Sequence, residues 1–127
     1  MKLIVTGSRD WVDSFQIRCA LDIFTAYKGY PNTLVHGDCP SGADFIADQI
    51  AMEGNDQYST SWNIVRYPAD WDRYGRAAGP IRNELMIDEN LDANYVLAFP
   101  LGESRGTRHC MGYAQSKGLT VVNLGER

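Results

Sequence analysis

The chain of 127 residues is short of the residue types that several kinds of protein require. Cysteine is scarce. Cys19, Cys39 and Cys110 make an odd set without CxxC spacing, which fits reduced thiols and excludes a disulfide framework. Histidine is scarcer still, with only His36 and His109, so a His-rich metal site is excluded and neither a metal nor a cofactor is implied. Long apolar runs are missing as well: residues 3–5 and 95–99 fall far short of the roughly 20 residues that cross a bilayer. No signal-peptide pattern opens the chain, so a cytoplasmic protein with no membrane contact is expected. Nor is there a basic surplus. A formal charge of −4 argues against holding duplex DNA or anionic lipid by bulk electrostatics. Neither GxGxxG nor a Walker loop occurs, which removes the standard dinucleotide fingerprint and the P-loop NTPases.

What is present suits one domain spanning residues 1–127, with 44% hydrophobic and 22% charged residues and 3 Trp, 7 Tyr and 4 Phe to fill a core. Apolar, β-forming runs at 2–6, 33–36, 62–67, 94–99 and 120–124 predict five strands. Between them lie helical spacings: Ile17, Ala20, Leu21 and Phe24, then Ala43, Ile46, Ala47, Ile50 and Ala51, and finally Thr107, Cys110, Met111 and Ala114. Pro80 suits a first helical position and opens a further helix over 81–91. Gly29, Gly54 and Gly118 mark short connections after helices, and residues 55–61 read as a polar excursion before the third strand. The alternation of strand and helix calls for a mainly parallel five-stranded sheet with helices on both faces, an α/β three-layer sandwich. Ligands of such folds bind beyond the C-terminal strand ends, where the winding reverses.

The loops predicted at that rim are suited to anions. The first strand runs into Gly7-Ser8-Arg9, which combines backbone freedom, a hydroxyl and a permanently charged fork of donors. The second runs into Gly37-Asp38-Cys39-Pro40-Ser41-Gly42-Ala43-Asp44 at a helix start, where N–H groups of Ser41, Gly42 and Ala43 form a nest for phosphate. Carboxylates repel phosphate, so Asp38 or Asp44 would address ribose or base; Asp44 serves equally to stabilise the helix's first turn. Trp71 and Tyr74 offer stacking surfaces. Arg82 is expected in a first helical turn, where a cation opposes the helix dipole unless an anion is near. The fourth strand leads to Gly102-Glu103-Ser104-Arg105-Gly106-Thr107 and another helix start. Six of the twelve Lys and Arg residues, namely Arg9, Arg73, Arg76, Arg82, Arg105 and Arg108, fall in or beside these loops and predict a positive pocket on an acidic protein.

Taken in order, Gly7-Ser8-Arg9, Gly37-Asp38-x-x-Ser41-Gly42-Ala43-Asp44, Arg82-Asn83-x-x-Met86 and Gly102-x-Ser104-x-Gly106-Thr107 resemble the YspA-related branch of the SLOG superfamily over nearly the whole chain. The resemblance implies a Rossmann-like sheet whose strand-end loops bind nucleotides or nucleotide-derived ligands, and pairing as a homodimer. Arg82-Asn83-x-x-Met86 is similar to the Arg-Lys-x-x-Met of nucleotide phosphoribohydrolases in that superfamily, but the glutamate of their glycine-rich motif is absent, since Gly106-Thr107 is followed by Arg108-His109-Cys110. The leading reading is therefore a binding module for a nucleotide-like phosphate. The alternative is a nucleoside-monophosphate N-glycosidase, with Arg82 orienting the substrate and Asp38, Asp70 or Glu103 supplying the missing carboxylate. A third reading, single-stranded nucleic-acid binding, rests on Trp71 and Tyr74 and on DNA-processing relatives.

Overall fold

A computed structural model of the chain describes residues 1–26, 31–58 and 60–127; Gly29, and Ser59 within the expected excursion, lie outside the described residues. The strands are β1 (Lys2–Gly7), β2 (Asn32–His36), β3 (Trp62–Arg66), β4 (Tyr95–Phe99) and β5 (Val121–Asn123), and the helices are α1 (Ser14–Thr25), α2 (Gly42–Gln57), α3 (Trp71–Tyr74), α4 (Ala78–Asp88) and α5 (Arg105–Ser116). All pairings are parallel, in the order β3-β2-β1-β4-β5. Alternation along the strands feeds two cores. Leu3, Val5, Leu34, Leu97 and Phe99 pack with Ile17 and Leu21 of α1 and Ala47 of α2. Ile4, Val35 and Val96 point the other way, onto Met86 and Ile87 of α4 and Cys110 and Ala114 of α5. Because both faces are apolar, both must be covered, which produces the three-layer, Rossmann-like α/β sandwich. Each fully buried Leu, Ile or Phe contributes about 1.5–3 kcal/mol.

Three local features depart from the sequence expectation. The polar stretch from Asn55 is not wholly loop, since α2 runs to Gln57. Its end is docked by Asn55, whose amide accepts from the Trp62 N–H at 2.8 Å and donates to the Trp62 carbonyl at 2.9 Å. The loop after β3 contains α3, begun by Asp70 accepting from the Arg73 N–H at 3.1 Å and ended at Gly75, where φ is +56°. Helix α4 starts two residues before Pro80, so proline still sits where a helix lacks an N–H acceptor, but Arg82 is the fifth helical residue and lies past the first turn. Opposition to the dipole is thus not what marks Arg82.

The winding reverses between β1 and β4, and the C-terminal ends of these two strands open onto a common rim.

Candidate functional site

At the end of β1 the chain has almost no room. A Cβ on Gly7 would lie 2.4 Å from the Ala43 Cβ and 3.0 Å from that of Phe99, so glycine lets the strand end touch both α2 and β4. The Ser8 N–H then donates to the Phe99 carbonyl at 3.0 Å, and the Ser8 carbonyl accepts from the Ala43 N–H at 3.1 Å. Gly42 has φ +78°, and a Cβ there would sit 2.2 Å from the Ser8 carbonyl oxygen. The Ser41 hydroxyl donates to the Arg9 carbonyl at 3.1 Å. The start of α2, read from sequence as an anion nest, therefore fastens itself to the β1 loop.

Beside this junction is a cavity of about 560 Å³, within the few hundred to a thousand Å³ usual for small-molecule sites. Gly7, Ser8 and Arg9 form one wall, Gly37 and Asp44 the floor toward β2, Arg82 and Asn83 a second wall, and Ser104, Arg105, Gly106 and Thr107 a third. Residues from all four loops thus meet in one place. Asp38, Ser41, Gly42, Ala43 and Gly102 do not line the cavity, and neither do Asp70 and Glu103. Asp70 caps α3, while Glu103 is exposed and pairs with Arg105 at 3.4 Å.

The third wall is the start of α5. Ser104 precedes it in a left-handed conformation, φ +41°, and makes no capping hydrogen bond; its hydroxyl pairs with that of Thr107 at 2.9 Å. The first N–H groups of a helix have no intrahelical acceptor, and here no acidic residue occupies the first turn. A Cβ on Gly106 would meet nothing within 4 Å. By contrast, α1 is capped by the Asp13 carboxylate at 3.1 Å. The loop before α5 is braced from outside: Arg108 donates to the carbonyls of Glu103 at 3.0 Å and Gly102 at 2.9 Å, and the Gly102 N–H donates to Glu126 at 2.7 Å. Gly102 and Arg108 therefore hold the loop rather than face the cavity.

Arg82 and Asn83 join the walls. Arg82 donates through Nη1 to the carbonyls of Gly37 and Tyr67 and through Nε to the Asn83 side chain at 2.8 Å; Asn83 in turn donates to the Gly106 carbonyl at 3.2 Å. Arg9 lies over the Trp71 ring, 5.2 Å from its centroid, and Trp71 lines the cavity while half exposed. Tyr74 does not line it, and its ring carries the Arg73 guanidinium at 5.0 Å.

Asp44 is the single carboxylate lining the cavity among the described residues. It is 4% exposed, and its Oδ2 accepts from the Gly37 N–H at 3.1 Å. Burial raises its pKa, partly offset by the neighbouring His36 and Arg82 and by the approach of Cys39. Its Oδ1 has no hydrogen-bond partner. Cys39, also at the cavity, has its thiol pKa raised by burial and then by Asp44, which disfavours a thiolate nucleophile.

Sequence reasoning overlooked a support beneath the β2 loop. His36 is buried and its Nε2 lies 2.6 Å from Asp48 Oδ2, while its Nδ1 accepts from the Asp38 N–H at 2.9 Å. Nδ1 being an acceptor, the ring proton sits on Nε2. Arg66 completes the group with bonds of 2.7 and 3.1 Å to Asp48. Burial pushes the Asp48 pKa up, but the hydrogen bonds from Arg66 and His36 outweigh it and hold the carboxyl below its usual range. Donor atoms of His36, Asp38 and Asp48 fall within 4.8 Å of one another, yet both imidazole nitrogens are already engaged. The available signal was the i, i+4 placement of Asp44 and Asp48 on the buried face that carries Ala43, Ala47 and Ala51.

Residues 1–74 match the YspA, cpYpsA-related SLOG family. The Gene 61 protein of Mycobacterium phage D29 is similar to this chain, 40% identical over 126 residues that make up 99% of this chain and 98% of that protein. No solved structure gives a significant match.

Proposed function

The chain belongs to the YspA, cpYpsA-related SLOG family, whose members are associated with nucleotide-related ligands, and from that premise we propose that it binds a nucleotide or nucleotide-derived phosphate in the cavity at the β1 and β4 strand ends. One observation carries the reading: an uncapped helix start and three arginines, Arg9, Arg82 and Arg105, line the same cavity. The phosphate rests on the N–H groups of Arg105, Gly106 and Thr107, where the helix dipole favours negative charge. Arg9 and Arg105 neutralise it, and Trp71 stacks on the base. Binding is favoured over the N-glycosidic cleavage that Asp38, Asp70 or Glu103 would serve, because none of those three lines the cavity.

Thermal unfolding against a panel of mononucleotides tests the reading. A ligand at 100 times its Kd stabilises by about 2.7 kcal/mol, so a binding nucleotide raises the Tm, and less so in Arg105→Ala, whose side chain is exposed and leaves the fold intact. An unchanged Tm with every nucleotide at millimolar concentration would refute it. Pairing of two copies belongs to the same proposal; sedimentation showing only a 14.2 kDa species would remove that part.

A further inference from the structure

Residues 70–77 carry α3 and the turn that leads into α4, and they bury no side chain. All eight are exposed, and none belongs to either core. Their hydrogen bonds close on the segment itself: the Asp70 carboxylate accepts from the Arg73 N–H at 3.1 Å, the Asp70 carbonyl from the Tyr74 N–H at 3.0 Å, and the Trp71 carbonyl from the Gly75 N–H. The loop before α5, by comparison, is braced by Arg108 and Glu126. Among the described residues no side-chain hydrogen bond or salt bridge ties 70–77 to another element in this way.

What reaches across is one ring. Trp71 lines the cavity, carries the Arg9 guanidinium 5.2 Å from its ring centroid, and rests on the start of α4, where a Cβ on Gly79 would lie 3.4 Å from the indole. It is nevertheless 47% exposed, whereas Trp11 and Trp62 are 8% and 9%. A segment that buries nothing has little to offset the entropy lost in holding it still, and stretches with few buried contacts open at low cost. A base laid on the indole changes that balance. It removes apolar surface of both rings from water and gives the segment the buried contact it lacks.

We propose that residues 70–77 are a lid, loosely held in the free protein by Arg9 and fastened over the ligand when Trp71 takes the base. The inference rests on the nucleotide reading of the same cavity and adds a moving part to it. A phosphate settles at the α5 wall with the lid open, because the N–H groups of Arg105, Gly106 and Thr107 belong to a different element from Trp71. Closure follows only for ligands that carry a ring, so preference for a nucleotide over bare phosphate lies in the lid.

Hydrogen exchange of the full chain, read residue by residue by NMR, tests it in two steps. In the free protein the amides of Arg73, Tyr74 and Gly75, although hydrogen-bonded, should exchange at least about a hundredfold faster than those of Met86 and Ile87 in α4. Equal protection of the two sets overturns the lid with no ligand needed. The second step adds nucleoside monophosphates from the panel that raise the Tm, with inorganic phosphate as the probe without a ring. Opening that must expel a ligand slows by up to about a hundredfold at 100 times its Kd, so exchange at 73–75 should fall at least about tenfold with the nucleotide and stay unchanged with phosphate. In Trp71→Ala, whose side chain belongs to neither core, saturating nucleotide should no longer slow these amides. Slowing that persists in the variant, or that phosphate produces equally, overturns fastening by the base. A nucleotide that raises the Tm but leaves exchange at 73–75 unchanged overturns the lid and leaves the nucleotide reading standing. No Tm change with any nucleotide overturns that reading and the closure with it.

Discussion

Replacing Asp44 with asparagine should change how stability responds to pH, in a direction set by burial. The carboxyl is 4% exposed, receives one backbone N–H, and leaves Oδ1 without a partner. Its pKa is raised in the folded protein, burial being the largest cause. The unfolded chain consequently loses this proton first as pH rises, and between the unfolded and folded pKa values the native state holds more of it. Stability therefore falls with rising pH from about 3.9, the ordinary carboxyl value, up to the folded pKa, and this contribution is level above it. Each unit between the two pKa values subtracts about 1.4 kcal/mol, which for a domain of this length is about 3–5 °C in Tm. Asparagine keeps the shape and the acceptor for Gly37 but does not ionise. At pH 3.5, with the wild-type carboxyl protonated, the two proteins should differ by no more than about 1 kcal/mol. Across the window the variant should gain on the wild type, then keep a constant lead. Thermal unfolding of both proteins without ligand, followed by circular dichroism at fixed ionic strength from pH 3.5 to 8, measures the difference directly, because other titrating groups are common to both. A difference that stays flat, or that closes as pH rises, would refute the account of a buried and poorly compensated carboxyl.

Asp48 should behave in the opposite sense: its pKa is lowered on folding, so its contribution is present above the ordinary carboxyl value and lost as pH falls through the folded value. Asp48→Ala, which strands His36 and Arg66, should cost about 2–4 kcal/mol in urea unfolding at pH 7 and less in acid. Gly42→Ala should destabilise by about 3 kcal/mol or more, adding a collision with the Ser8 carbonyl to the 1–2 kcal/mol of a left-handed alanine, and urea denaturation reads this. Arg105→Ala should leave stability within about 0.5 kcal/mol but weaken phosphate binding in calorimetry about three- to tenfold at low salt, an effect that shrinks as salt rises.

The strand and helix pattern was legible because each central strand is apolar on both faces and each helix on one, so residues 3–5 or Ala43, Ala47 and Ala51 announce their partners by periodicity alone. The loops that line the cavity were legible too, since Gly7-Ser8-Arg9 continues one such strand and Ser104-Arg105-Gly106-Thr107 comes shortly after the end of another. Local chemistry set these features, and local chemistry is what a sequence carries. Which donors remain free was decided elsewhere. The Ala43 N–H looks available at the start of a helix until the Ser8 carbonyl, brought alongside by β1 packing at Gly7, takes it. Arg82 meets the Gly37 carbonyl across a sequence separation of 45 residues, and His36 finds Asp48 only because β2 and α2 pack together. Asp44 could cap a helix or face a ligand with equal right in one dimension. Burial between α2 and the β2 loop, with one oxygen held and the other unpartnered, is a property of the assembled chain, since desolvation depends on every element that closes over the group.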